Sequence, residues 1–126
     1  LFKKYNTDKY IGYVTKKHNG VGFLINSCYS QQIQNEAAAT LIAIFIEQTL
    51  NDNLKYSIIL YLNHKKDKLN DLKFRTKFVD NFVEEFLTPR KELLIKLNET
   101  TQLSEVARYF DVTSDFIIQR LKNFLV

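Results

Sequence analysis

Few side chains in this sequence of 126 residues could carry out covalent or metal chemistry. The soft metal ligands are His18, His64 and Cys28, and each lies in or beside a predicted loop. Two lysines follow His64 and would oppose a bound cation, so a zinc site built from these three ligands is disfavoured. Cys28 precedes a predicted helix, but no predicted neighbouring element offers a histidine to activate it. The three glycines are isolated, which excludes a glycine-rich phosphate loop.

Composition indicates one ordinary globular domain. Apolar residues make up 45% of the chain and charged residues 25%, and a chain of this length can bury a core without disulfides. One cysteine excludes an internal disulfide and is typical of a reducing compartment. With no apolar run of membrane-spanning length and no signal peptide, we expect a cytoplasmic protein that does not associate with membranes. The many Lys, Asn and Ile residues are typical of AT-rich bacterial or phage genes, and the start at Leu1 suggests a fragment or a trimmed terminus.

The net charge of +4 is unevenly distributed. Residues 1–77 contain 12 basic and 6 acidic side chains, whereas residues 78–126 contain 6 basic and 8 acidic ones. Part of the excess is a basic run from Lys65 to Lys77. Such runs usually form a solvated face, although this one could contact an acidic protein or a nucleic-acid backbone.

A β-hairpin and a long helix are predicted in the N-terminal half. Residues 9–17 and 21–26 are rich in Tyr, Val, Ile and Phe, and they flank His18-Asn19-Gly20, which contains an Asn-Gly turn signal. Ser30 is the predicted N-cap of a helix over residues 31–51. This helix is apolar on nearly all sides, so we expect it to be central.

Two segments follow the long helix. Residues 54–62 alternate like a strand but also have apolar residues on the other face, so a strand and a short buried helix both remain open. Residues 64–70 are polar and predict a loop.

The remainder is predicted to be helical. Apolar spacing and the position of Pro89, whose missing N–H is tolerated where a helix starts, indicate helices over 71–87, after 89, over 104–109 and over 114–125. The expected fold class is α+β: a small antiparallel β-sheet, the hairpin, packed on a central helix, with a C-terminal helical subdomain that resembles a helix-turn-helix. We expect a single domain over residues 1–126, with its core at about 9–90 and the helical part at about 90–126.

Residues 103–124 have the spacing of a helix-turn-helix motif. Ala107 is small where the first helix must be approached closely, and Ile117 and Leu121 would anchor the second helix. Asp111 replaces the usual turn glycine, which is tolerable because Asp can adopt left-handed backbone geometry.

As a DNA-binding element this segment has an unfavourable surface. A recognition helix reads bases with its N-terminal residues, where Asp115 would repel phosphate, and the segment lacks the positive charge that drives DNA affinity. We therefore favour a packing role and keep DNA binding as the alternative. Its candidate DNA contacts would be Arg108, Ser114, Arg120 and Lys122.

Several segments resemble ImmA/IrrE-type zinc metallopeptidases in order and spacing. Residues 82–89, FVEEFLTP, are similar to that family's AN-x-FA-x-x-LLMP segment, and residues 102–113 are similar to its SLEELAKRFGVS segment. Arg120-Leu121-Lys122 resembles its final RL helix, and Gly22–Asn26 resembles the strand before its zinc helix. With that spacing Ile42-Ala43 aligns with the family's IA pair. Together these segments extend the resemblance over most of the chain.

The resemblance implies a zinc site whose residues this chain lacks. In the family, two histidines one turn apart bind zinc, the glutamate between them activates water, and a later helix supplies a carboxylate. Here the His-Glu-x-x-His positions read Ile44-Phe45-Ile46-Glu47-Gln48, and the carboxylate position, counted back from Pro89, falls on Thr76. These four side chains can neither bind zinc nor take a proton from water at neutral pH. They are Ile44, Phe45, Gln48 and Thr76. Glu47 lies about 100° around the helix from the general-base position.

The leading hypothesis is therefore a catalytically inactive metallopeptidase-like domain without metal or cofactor. It would act as a protein- or peptide-binding regulatory module, and a phage or mobile-element context would suit it. The first alternative is a DNA-binding transcriptional regulator that uses the C-terminal helix pair. The second alternative is an active zinc peptidase with non-standard ligands, which is disfavoured because the chain has only two histidines.

Overall fold

The elements of the protein are taken from a computed structural model that describes residues 2–5, 11–17, 20–50, 58–60, 62–63, 68–69 and 76–124. The strands are β1 (Phe2–Tyr5), β2 (Gly12–Lys17), β3 (Gly20–Asn26), β4 (Ile58–Leu60), β5 (Leu62–Asn63) and β6 (Lys68–Leu69). The helices are α1 (Gln31–Leu50), α2 (Lys77–Leu87), α3 (Arg90–Glu99), α4 (Leu103–Phe110) and α5 (Ser114–Phe124). The expected α+β class is confirmed.

Four of the strands form one mixed sheet in the order β1-β3-β2-β4. The predicted hairpin is confirmed, because β2 and β3 pair antiparallel from Gly12 opposite Ile25 to Lys17 opposite Gly20. The sheet extends beyond the hairpin, since β1 joins β3 in parallel and β4 joins β2 antiparallel. The turn residues His18 and Asn19 lie outside the described residues.

The strand interpretation of residues 54–62 is correct over β4, which pairs with β2. The loop predicted over residues 64–70 is wrong at Lys68 and Leu69, which pair with Asn63 and Leu62 in a second, two-stranded sheet. Backbone pairing between neighbouring segments can outweigh the polar composition from which a loop was predicted. The other residues of that loop lie outside the described ranges.

Helix α1 begins at its predicted cap and packs on the sheet. The amide N of Ile33 donates to Oγ of Ser30 at 3.3 Å, which confirms the N-cap. Leu41 is fully buried against β2, where Gly12 leaves room for it: a Cβ on Gly12 would lie 2.8 Å from Cδ1 of Leu41. The absence of a side chain at this glycine therefore lets α1 approach the sheet closely.

Two apolar clusters form the core of the described chain. The first joins the sheet, α1 and α2, and it buries Ile11, Val14, Ile25, Ala37, Ala39, Leu41, Ala43, Ile44, Val79 and Val83. The second lies among α3, α4 and α5, and it buries Leu93, Val106, Ala107, Val112 and Ile117. Leu87 and Phe116 are partly buried and pack against both clusters.

Helix α2 starts later than its apolar periodicity predicts. Thr76 has an extended backbone (φ −75°, ψ 164°), and its hydroxyl accepts from the amide N of Val79 at 3.2 Å, so Thr76 is the N-cap and the helix begins at Lys77. The predicted start at residue 71 is therefore wrong. Periodicity alone extended the helix past a residue whose side chain caps it. Residues 71–75 lie outside the described ranges.

The C-terminal helices follow the predicted punctuation. Pro89 immediately precedes α3, and α4 ends at Asp111, whose backbone is left-handed (φ 56°, ψ 48°) as the sequence predicts. The amide N of Val112 donates to the carbonyl of Ala107 at 3.0 Å and closes that end of α4. The similarity of α4 and α5 to a helix-turn-helix stays a prediction.

Candidate functional site

The candidate site is the C-terminal half of α1, where the predicted zinc positions lie. Ile44 is 1% exposed and belongs to the first apolar cluster. Phe45 is partly buried against the same cluster, and its ring meets that of Phe23 on β3 edge to face, with centroids 5.8 Å apart. Both side chains pack against the protein core, and neither offers a lone pair for a metal.

The fourth predicted position reaches this half of α1 through a hydrogen bond. Oγ1 of Thr76 lies 2.9 Å from each carboxylate oxygen of Glu47, and its hydroxyl donates to that carboxylate. The same oxygen accepts from the amide N of Val79. Thr76 therefore contacts α1 at Glu47, one residue before Gln48, which is half-buried.

This arrangement connects the end of α1 to the start of α2 in one chain of hydrogen bonds. The carboxylate of Glu47 lies next to the N-terminus of α2, where the aligned peptide dipoles favour negative charge. A hydrogen bond from a hydroxyl to a carboxylate is also stronger than one between neutral groups, because the acceptor is charged. The geometry therefore stabilises the packing of the two helices.

The other candidate ligands do not form a site in the described part of the chain. Across residues 11–17, 20–50 and 76–124, no three His, Cys, Asp or Glu side chains are grouped closely enough to hold a metal ion. Cys28 is exposed before α1, and its amide N donates to Oδ1 of Asn26 at 2.9 Å. His18 and His64 lie outside the described residues.

The four candidate DNA contacts do not share one environment. Arg108, Ser114 and Lys122 are exposed, and so is Asp115 in the first turn of α5. The side chain of Arg120 is only 9% exposed. A phosphate could therefore reach three of the four predicted contacts, beside a carboxylate that would repel it.

Arg120 is held by the end of α2. Its Nε donates to Oγ1 of Thr88 at 3.2 Å, and one terminal nitrogen donates to the carbonyl of Thr88 at 3.3 Å and to the carboxylate of Glu85 at 2.6 Å. Thr88 is fully buried. The guanidinium thus uses its fork of donors to fix α5 on the residue that joins α2 to α3.

A row of phenylalanines runs along one side of α2. Phe78, Phe82 and Phe86 follow at helical spacing, and their rings stack with centroids 6.2 and 5.6 Å apart. Phe82 packs against the first cluster, whereas Phe78 is 40% exposed and Phe86 is 58% exposed. Aromatic side chains are enriched at the buried centres of protein interfaces.

The sequence pattern places Thr76 inside a helix over residues 71–87, whereas Thr76 is the cap before α2, and the pattern indicates neither its partner nor the role of Arg120. Nothing in the local pattern around Glu47 indicates a contact with a residue 29 positions away. The DNA-binding alternative requires Arg120 at the surface, where arginine usually lies, whereas Arg120 is buried. A Thr directly before an apolar helical run is a capping signal and could have identified the start of α2.

None of the helices in the described ranges has both the length and the apolar character that a bilayer crossing requires.

In comparisons with protein-family models, curated proteins and solved structures, the chain matches none of them.

The buried position of Arg120 predicts a structural role for this residue. Replacing it with Met removes three hydrogen bonds at similar side-chain volume and should lower the free energy of unfolding by about 2–3 kcal/mol. Arg120→Lys should recover only part of that loss, because an ammonium cannot reproduce the planar fork. Urea denaturation measures both values.

Arg108→Ala is the matched control, since Arg108 is exposed on α4. Its free energy of unfolding should stay within about 0.5 kcal/mol of the original chain. Equal stability of Arg120→Met and the original chain would contradict the structural role.

Proposed function

We propose that this chain is a catalytically inactive, metallopeptidase-like domain that acts by binding a protein or peptide partner. The observation that carries the proposal is the role of three of the four predicted catalytic positions. Ile44 lies in the core, Phe45 packs on Phe23, and Thr76 donates to Glu47. The side chains that would do chemistry in a zinc peptidase are here side chains that pack and cap.

The local physics supports the loss of catalysis. A catalytic zinc needs three protein ligands and an open position for water. A hydrocarbon side chain that is 1% exposed at position 44 supplies no ligand, and it excludes water from the place where one would be needed. The carboxylate of Glu47 already accepts from Thr76 and lies on another side of the helix.

A binding function is supported by what the described surface offers. Phe78 and Phe86 expose large apolar area on α2, on either side of Phe82, which the core holds in place. Large apolar side chains that remain exposed while anchored by a packed neighbour suit recognition of an apolar peptide. DNA binding gains no comparable support, because Arg120 is buried.

Metal analysis tests the inactive site. We expect purified protein to contain well below one zinc per chain, and a chelator to leave its thermal midpoint unchanged, because the described site offers no ligand set. His18→Ala, His64→Ala and Cys28→Ser should change neither result.

One zinc per chain that is lost in His18→Ala or His64→Ala would contradict the proposal and favour a peptidase with non-standard ligands. Salt-dependent binding of duplex DNA that weakens in Arg108→Ala and Lys122→Ala would instead favour the DNA-binding alternative.

Selection of peptides from a random display library tests the binding function. We expect enriched peptides rich in apolar residues, with affinity at least tenfold lower for Phe86→Ser, because the exposed ring would contribute more than about 1.4 kcal/mol to a buried contact. Ile95→Ser is the matched control, since Ile95 on α3 is similarly exposed at 52%. An absence of enriched peptides, or equal losses in the two variants, would count against binding at α2.

A further inference from the structure

Few apolar side chains connect the two apolar clusters. Among the described side chains, Leu87 and Phe116 alone pack against both clusters, and each is partly buried. The C-terminal unit (α3–α5) has its own core and continues from α2 through one covalent joint, Thr88-Pro89. Two separate groups of hydrogen bonds hold this unit on the rest of the chain.

The first group, here called the latch, connects the turn before α5 to α1. Nε2 of Gln32 donates to Oδ1 of Asp111 at 2.9 Å, and Nδ2 of Asn35 donates to Oδ2 of the same residue at 3.1 Å and to its carbonyl at 3.0 Å. The amide N of Thr113 donates to Oε2 of Glu36 at 3.1 Å. The contacts of Asp111 are exposed to solvent, so water competes for each of them.

The second group, here called the pivot, lies at the other end of α5. Arg120 makes its three hydrogen bonds to Thr88 and Glu85, two of them buried. Nδ2 of Asn123 donates to Oε2 of Glu84, a buried residue, at 2.7 Å. Breaking the pivot would leave a guanidinium and a carboxylate buried without these partners, which costs more than breaking exposed contacts.

From this difference we infer that the C-terminal unit is hinged: it opens at the latch while the pivot and its own core stay intact. Local opening of a folded protein occurs where buried apolar contacts are few and hydrogen bonds are exposed. In the latch the contacts of Asp111 are exposed and those of Thr113 with Glu36 are only partly buried, whereas the pivot is largely buried and lies beside the covalent joint. Opening is therefore a rotation about Thr88, which separates Phe116 from the first cluster.

The two states differ in what they present to a partner. In the closed state Gln32, Asn35 and Glu36 are bonded to the turn, and Phe116 is partly buried between the clusters. In the open state the polar face of α1 and the ring of Phe116 become accessible. A partner that recognises either state would shift the balance between them. This inference does not depend on the proposed function.

Hydrogen exchange at two adjacent amides tests the hinge. The amide of Thr113 is bonded across the latch to Glu36, whereas the amide of Val112 is bonded to Ala107 inside the C-terminal unit. In the original chain we expect the amide of Thr113 to exchange with a lower free energy of opening than the amide of Val112. Asp111→Gly should raise the exchange rate of Thr113 about tenfold, because it removes two hydrogen bonds to α1, and should leave Val112 and the buried amides of α1 unchanged.

Glycine is the suitable replacement because it keeps the left-handed conformation of residue 111 without strain. Asn35→Ala removes contacts of the latch from the side of α1 and should give the same pattern. Asp115→Ala is the control, an exposed aspartate close by in the first turn of α5, and should change neither rate. Equal acceleration of Thr113, Val112 and the α1 amides in both latch variants would overturn the hinge and indicate one cooperative unit.

Discussion

The structure depends on α1 contacting several other elements at once. Leu41 packs closely over Gly12 of the sheet, Glu47 accepts from Thr76 at the start of α2, and Asn35 donates to the turn before α5. Between these contacts α1 buries apolar side chains against the sheet and α2, so much of its circumference is apolar. Ile44 lies in the core of this helix packing, so its side chain does not reach solvent, where a metal could be bound.

This constraint explains why the proposed loss of chemistry would not leave the fold weakened. A metal site connects helices through ligands that share one ion. When the ion is lost, those ligands are left without a partner. Here α1 and α2 pack together in the first apolar cluster, and Thr76 adds a polar contact, because it caps α2 and donates to a carboxylate of α1. Hydrogen bonds also position α5. Asp111, before its start, contacts α1, and Arg120, near its end, contacts the end of α2.

Local features were predictable from the sequence, and contacts between distant segments were not. The antiparallel pairing of β2 with β3, Ser30 as a cap and the left-handed Asp111 each follow from the preferences of a few adjacent residues. The parallel pairing of β1 with β3 joins segments about 20 residues apart, which no short pattern specifies. The positions of Glu47 and Arg120 were missed for a related reason, because composition assigns charged side chains to the surface unless a distant partner is known.

The hydrogen bond from Thr76 to Glu47 is the polar contact that joins the end of α1 to the start of α2, and in the proposed inactive domain it does so without a metal. A double-mutant cycle with Glu47→Ala and Thr76→Val measures it most directly, because the cycle isolates the energy that the two side chains share. We predict a coupling of about 1–2 kcal/mol in the free energy of unfolding, unchanged by added zinc or by a chelator. A coupling near zero, or one that appears only when zinc is present, would contradict this account.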